Sequence, residues 1–445
     1  MTRLQKARSR PHGIRLHLQV YALQIHLQRA SVGRYRLADG WDTTQVDAVA
    51  LKRTWAQVAA HGDAVPGYFY AHLFLAHPET RDLFPVAMAA QRDRLVKALG
   101  HMVSNVDRVG DVVPYIEDLG RDHRKFGTIA AHYPAVGASL LATLKHFLGD
   151  AWTAELAADW AEAYGLIATT MVTAAEAVES EPATWAAEVV ATERRGMDVG
   201  TVTIRPDDRY RYQAGQSLAV EVPQRPRQWR YLSPTHAPRA DGTITFHVQL
   251  VAGGQVSGAL LRDVTAGDRV RLGPPVGELL TLPFGSEWPD LLLVGGGTGL
   301  APLLAVLDQV AGRHASRGDG PRVALYHGVR YPWGFYAKPE LDRYAGASWL
   351  TTSFAVSDDP SFPGPRGLIG DLAAADGPWD GRLAMVCGSP RMVDHTTVVL
   401  RRAGLDPHSI RSEKYEDPFT QQPRVTGDQS DSPELVRSGV ARGIQ

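Results

Sequence analysis

The spacing of apolar residues along this chain changes character twice. Over residues 43–178 apolar positions recur at intervals of three and four within alanine-rich segments, which predicts consecutive amphipathic helices. Val46, Val49, Leu51 and Trp55 keep that spacing, with Thr43 or Thr44 placed to cap their helix. Residues 63–74 predict the next helix, with Pro66 in its first turn, where a missing N–H is tolerated. Phe69 and Leu73 share one face of it and Tyr70 and Phe74 a neighbouring face, so this helix packs on two sides. His77-Pro78 ends it, and Arg81-Asp82-Leu83-Phe84-Pro85 follows as a turn. Helices are then expected over about 88–109, where Gln91, Leu95, Leu99 and Met102 fall at helical spacing, through His123 to Gly127, over 133–149, and over about 153–178.

Beyond Glu179-Ser180-Glu181-Pro182 the period shortens to two. Residues 185–194, 200–205, 215–222, 243–251 and 269–272 predict short strands, with clear alternation in Thr245-Phe246-His247-Val248-Gln249-Leu250. Strands spaced so closely, without long helices between them, predict a small antiparallel β-barrel. The pattern changes again at Leu291-Leu292-Leu293-Val294, a continuous apolar run of the kind buried in a parallel sheet. The loop Gly295-Gly296-Gly297-Thr298-Gly299-Leu300-Ala301-Pro302 and a helix over 303–310 follow it. Strands over 323–330, 349–356 and 383–387 continue a Rossmann-like α/β domain. The expected order is a basic extension over 1–42, an all-α domain over 43–180, a β-barrel over 183–286, an α/β domain over 288–419 and a disordered tail over 420–445.

Composition narrows the chemistry. A chain of 445 residues is too long for one core. A net charge of −1 argues against bulk nucleic-acid binding. The single cysteine, Cys387, excludes an internal disulfide, a cysteine zinc site and a cysteine-ligated iron–sulfur cluster held within the chain. No apolar run approaches the roughly 20 residues of a membrane span. The extension over 1–42 has arginines and lysines but no acid before Asp39; it is expected to be disordered or spurious rather than a targeting peptide. A cytoplasmic protein without an obligate protein partner is the expectation.

The candidate chemistry begins at Gly120-Arg121-Asp122-His123-Arg124-Lys125-Phe126-Gly127, where one histidine sits near the end of a helix closed by glycine. Haem ligation needs one imidazole and a pocket rather than a tight motif, so His123 is the candidate axial ligand. In the last domain the strand, glycine loop and helix in succession suit a pyrophosphate at a helix N-terminus. Cys387 and Gly388 lie at the carboxyl end of a strand, where α/β ligands bind. In the barrel, Arg230-Tyr231-Leu232-Ser233 and Gly253-Gly254-Gln255-Val256-Ser257 offer cations, backbone N–H groups and hydroxyls to an anionic cofactor.

Taken in order, Phe69-Tyr70, His77-Pro78, Leu83-Phe84, Gln91, His123, Ala131-His132-Tyr133-Pro134-Ala135-Val136-Gly137 and Trp160 to Gly165 resemble the globin of bacterial flavohaemoglobins. The resemblance implies haem b with His123 as proximal ligand, Phe84 stacked on the haem, and Tyr70 and Gln91 as distal donors to bound O2, beside an apolar Leu95. It also implies a proximal tyrosine–glutamate relay, for which Tyr133 matches. The glutamate position falls on Ala175, with Glu176 next, and Asp122 stands where the family tends to have lysine.

Residues 183–419 resemble the ferredoxin–NADP reductase-like family through Arg-x-x-Ser, Gly-Gly-Gln-Val-Ser, the glycine loop and Cys-Gly-x-Pro. That implies one FAD, held by Arg230 at the pyrophosphate, Ser233 at the flavin ring, and Val256 and Ser257 at phosphate. It assigns Gly297, Thr298, Gly299, Leu300, Ala301 and Pro302 to NADH or NADPH, and Glu413 and Tyr415 to the cover of the flavin. Ser217 and Leu232 stand where flavohaemoglobins commonly have tyrosines. The end of the 323–330 strand shows no acid for a ribose hydroxyl, and its Arg330 is suited to a 2′-phosphate. The implied activity is nitric oxide dioxygenation: NAD(P)H reduces FAD, FAD reduces haem, and O2 with NO gives nitrate. The alternatives are an O2 sensor or buffer kept ferrous by its own reductase, and a variant with another electron donor or acceptor.

Overall fold

The computed structural model of this protein describes residues 46–283, 285 and 287–415. The extension over 1–42, Thr43, Thr44 and the tail over 420–445 lie outside the described residues. The chain opens with α1 (Ala48–Ala59), α2 (Ala64–Ala76), α3 (Ala89–Ser104), α4 (Val109–His123), α5 (Tyr133–Leu148) and α6 (Ala154–Glu176). Val46 precedes α1 rather than joining it, because Asp47 is the cap: its Oδ1 accepts the Ala50 N–H at 2.9 Å. The single helix expected over 88–109 stops at Ser104. The Asn105 amide donates to the His101 carbonyl at 2.8 Å and competes with the next helical bond. A new helix, α4, then begins and carries His123 at its last position.

α4 and α6 touch almost backbone to backbone. A Cβ added to Gly120 would lie 2.4 Å from the Met171 carbonyl oxygen, so only glycine permits this crossing. The contact sets the His123 end of α4 against the face of α6 that bears Trp160, Tyr164 and Met171, all buried.

The next strands are β1 (Trp185–Arg194), β2 (Val199–Pro206), β3 (Ser217–Glu221), β4 (Arg230–Leu232), β5 (Ile244–Gln249) and β6 (Arg269–Val276), with helix α7 (Gln255–Arg262) between the last two. They form one antiparallel sheet in the order β4-β3-β6-β1-β2-β5. Its two edges meet: Pro234 bridges Phe246, and the Thr235 N–H donates to the Thr245 carbonyl at 2.9 Å. The expected barrel is thus closed just beyond β4, around buried Leu218, Phe246, Leu260 and Leu272.

The last unit alternates β7 (Leu291–Gly296), α8 (Leu300–Arg317), β8 (Val323–Val329), α9 (Lys338–Asp342), β9 (Leu350–Val356), α10 (Ile369–Ala375), β10 (Leu383–Gly388), α11 (Pro390–Arg402) and β11 (Ile410–Lys414). Its strands are parallel, in the order β11-β10-β7-β8-β9. The order reverses between β7 and β10, and ligands of open α/β sheets bind at such a reversal. α8 starts three residues earlier than expected because Pro302 sits in its first turn, where no amide hydrogen is needed.

Candidate active site

A largely apolar cavity of about 260 Å³ occupies the helical unit. Tyr70, Phe84, Gln91, Leu95, His123, Tyr133, Trp160, Tyr164 and Met171 all line it, so most of the histidine, tyrosine and phenylalanine positions singled out from sequence converge there. The His123 Nδ1–H donates to the Leu119 carbonyl at 2.7 Å. A carbonyl only accepts, so this bond places the ring proton on Nδ1 and the lone pair on Nε2. Metal-binding imidazoles are held by such an outer-nitrogen bond. Gly127, at φ 76°, turns the chain away after the short 3₁₀ turn Arg124–Phe126. The donor set and the apolar walls fit a haem.

Tyr70 of α2 is buried, its ring edge-on to Phe84 with centroids 5.3 Å apart. Its hydroxyl donates to the backbone carbonyl of Gln91 at 3.5 Å, a long bond. Burial pushes the phenol up to about 12, so Tyr70 stays protonated and remains a donor at neutral pH. Tyr133 is buried at the start of α5; burial raises its phenol well above the ordinary value, and its backbone carbonyl accepts the Tyr164 hydroxyl at 2.7 Å. The structure corrects Glu176. That residue is exposed at the end of α6 and is not part of the cavity wall, so it does not stand with Tyr133 behind the histidine. It lies five residues past Met171, where α6 has already left the cavity.

The cavity wall is not purely helical, since Arg227, Trp229 and Tyr231 from the β4 region complete it. There the structure joins three residues that sequence reasoning did not group. Lys125 pairs with Asp122, the Lys125 ammonium donates to the Tyr231 hydroxyl at 2.6 Å, and that hydroxyl donates to Asp122 Oδ2 at 2.9 Å. The available signal was the i, i+3 spacing of Asp122 and Lys125; nothing local points to Tyr231.

In the barrel, Arg230 begins β4 and Ser233 follows it, with the Ser233 and Ser217 hydroxyls 3.0 Å apart. The Ser257 hydroxyl accepts the Val251 N–H at 3.2 Å, which shapes the loop before α7; Val256 is buried beside it. Glu413 of β11 faces this unit: a Cβ on Gly277 would lie 3.2 Å from its Oε1. Burial pushes the Glu413 carboxyl up to about 7. Ser217 pairs with Val276, so the Ser217 and Ser233 hydroxyls and the buried Glu413 carboxyl beside Gly277 meet where β3 and β6 adjoin, and this polar cluster fits the polar edge of a flavin ring.

The glycine loop lies at the β7–β10 reversal. A Cβ on Gly299 would lie 2.3 Å from the Cys387 carbonyl oxygen, so the Cys387-Gly388 strand end and the loop are in contact. Gly297 takes φ +54°, and its carbonyl accepts from His327 Nε2 at 3.0 Å and Tyr336 Oη at 3.4 Å. Burial lowers the His327 imidazole to about 4, which keeps it neutral. The Tyr415 hydroxyl donates to the Gly296 carbonyl at 3.2 Å. Leu300, Ala301 and Pro302 are buried, so beyond Gly297, Thr298 and Gly299 this segment presents backbone rather than side chains. Arg330 is paired with Asp358 at 2.8 Å, so an acid missing from β8 arrives from beyond β9 and neutralises the guanidinium.

Comparison with known proteins matches this architecture in three parts. Residues 67–171 match the globin family, 188–280 an oxidoreductase FAD-binding domain and 293–397 an oxidoreductase NAD-binding domain. A flavohemoprotein of Bordetella parapertussis is 30% identical over 303 residues, covering 63% of this chain and 73% of the relative. One from Bacillus subtilis is 24% identical over 390 residues, 82% of this chain and 95% of the relative. The structure of a flavohemoglobin from Malassezia yamatoensis with bound FAD and haem superposes with a TM-score of 0.68 at 18% identity, over 83% of this chain and 98% of that one.

Proposed function

This chain belongs to the flavohemoprotein family, and from that premise we propose that it is an NAD(P)H-dependent nitric oxide dioxygenase. Globin, FAD-binding and NAD-binding domains lie in one chain, so haem, FAD and a nicotinamide nucleotide are its cofactors. Haem, when bound, supplies the iron at which O2 and NO react, and FAD converts a two-electron hydride into single electrons. His123, its ring fixed by Leu119 with the lone pair on Nε2, would hold the iron of the haem. Tyr70, protonated at Oη, would donate a hydrogen bond to O2 held in this cavity, and Gln91 and Leu95 bound the same space. Arg230, Ser233, Val256 and Ser257 bind FAD, with Glu413 and Tyr415 covering the flavin. The loop Gly297 to Pro302, with Cys387 and Gly388, binds NAD(P)H. The reaction draws on small molecules alone, and a cytoplasmic location supplies the nicotinamide reductant.

The single observation that supports this most is the convergence of His123 and Tyr70 on one apolar cavity in a chain that also contains a flavin reductase. The test is aerobic NO consumption by the haem- and FAD-loaded chain with NADH or NADPH, with nitrate assayed as product. Rapid loss of NO with matching nitrate is expected; NO loss no faster than in buffer overturns the proposal. The exposure of Glu176 favours one second reading, an O2 buffer kept ferrous by its reductase, because a proximal carboxylate strengthens the push toward O2 activation. The same assay separates the two, since a buffer holds O2 stably and turns over slowly.

A further inference from the structure

Lys125 is an ammonium buried completely, and only part of its surroundings come from its own domain. Asp122, near the end of α4 just before the 3₁₀ turn that carries Lys125, supplies the counter-charge. The rest comes from the barrel. The Tyr231 hydroxyl accepts from Lys125 at 2.6 Å and donates to Asp122 Oδ2 at 2.9 Å, which closes a ring of three hydrogen bonds. The rings of Tyr231 and Trp229 lie 4.5 and 5.6 Å from the ammonium, and that of Phe126, from the helical side, at 4.9 Å. On β6, a Cβ added to Gly273 would come 3.0 Å from Lys125 Cδ, so the barrel also leaves room for the lysine stem.

A buried charge pair is weak as a source of stability but strong as a source of register, because displacing it leaves an unpaired charge in an apolar place. Lys125 is fully satisfied only while the barrel sits where it is. The pair flanks His123 on both sides in sequence, and Tyr231 lies between Arg230 and Ser233, the proposed flavin contacts. Tyrosine at 231 rather than 232 also matters, since a one-residue shift along a strand turns a side chain to the opposite face. Here that face is the helical domain. We propose that Asp122, Lys125 and Tyr231 form an inter-domain latch, and that Tyr231 is a positioning residue holding the flavin-bearing barrel in register with the His123 end of α4 for electron delivery. The electron-delivery part rests on the function proposed above.

The test compares the holoenzyme with Tyr231→Phe, which keeps the ring and loses both hydrogen bonds, and with Lys125→Met. Rapid mixing with NADH follows flavin bleaching and haem reduction separately, and amide hydrogen exchange is read over residues 122–127 and 229–232. The latch predicts unchanged flavin bleaching, haem reduction slowed severalfold, and faster exchange in both segments. The CO-bound spectrum after dithionite stays that of the wild type, which shows an intact haem site. Haem reduction at the wild-type rate overturns the proposal, and so does slowed reduction with unchanged exchange. If the wild-type haem accepts no electrons from NADH or NADPH, the proposed function fails instead, and the exchange result alone then decides the latch. Should Lys125→Met fail to fold, Tyr231→Phe alone decides between these outcomes.

Discussion

Tyr70 and Glu413 show how burial prepares a side chain before any ligand arrives. With its phenol pushed up to about 12, Tyr70 is a donor across the whole physiological range. Removing the hydroxyl removes one hydrogen bond to a partly charged partner, worth roughly 1.5–3 kcal/mol. Tyr70→Phe is therefore expected to weaken O2 affinity about tenfold to a hundredfold, measured by flash photolysis, with the CO affinity much less affected. Glu413 works in the other direction. Its carboxyl rises from 4.5 to about 7 on folding, so between those values the folded chain holds a proton that the unfolded chain has released. Stability of the flavin-free protein then falls as pH rises through that window and levels off above it. Urea midpoints of wild type and Glu413→Gln are expected to agree near pH 4.5 and to diverge toward pH 7, the variant becoming the more stable. Parallel curves would contradict the assignment. At this scale the sequence singled out His123, Tyr70 and Phe84, which line one cavity, and the glycine loop at the β7–β10 reversal, because resemblance ties each to a recurring string. It misled at Glu176, where one residue means about 100° of helix rotation, and it was blind to Asp358, whose partner Arg330 lies 28 residues away just past the end of β8.

Among the elements, the contact between α4 and α6 decides where the His123 imidazole stands. Gly120 is the residue that permits it. Gly120→Ala inserts a Cβ 2.4 Å from a backbone oxygen, which cannot rotate away. The expected destabilisation is about 1–3 kcal/mol, read as a lower urea midpoint at unchanged slope, together with faster haem loss to apomyoglobin. A midpoint within error of the wild type would mean that the helices shift freely and that α4 does not fix His123. Periodicity found these helices and strands with ends displaced by a few residues, since caps such as Asp47 and breaks such as Asn105 act through single side-chain bonds. Strand order was not legible at all. The reversal between β7 and β10 brings together Gly299 and Cys387, which are far apart in sequence, and only the fold shows that they touch.

At the scale of the whole molecule, the arrangement is a relay whose parts lie in chain order in reverse of electron flow: globin first, flavin barrel second, nucleotide domain last. The barrel completes the wall of the His123 cavity through Arg227, Trp229 and Tyr231, and the chain along β11 brings Glu413 to Gly277 and, just past the strand, Tyr415 to Gly296. Such meetings across more than a hundred residues are invisible to periodicity and short motifs, which is why the domains were legible in the sequence and their junctions were not. The most direct measurement is an anaerobic one. The purified chain, loaded with haem and FAD under CO, is mixed with NADH or NADPH and followed at both flavin and Soret wavelengths. The account predicts flavin bleaching followed by full conversion of the Soret band to the CO-bound form, absent in His123→Ala. Flavin bleaching with the Soret band left in its oxidised position would contradict it.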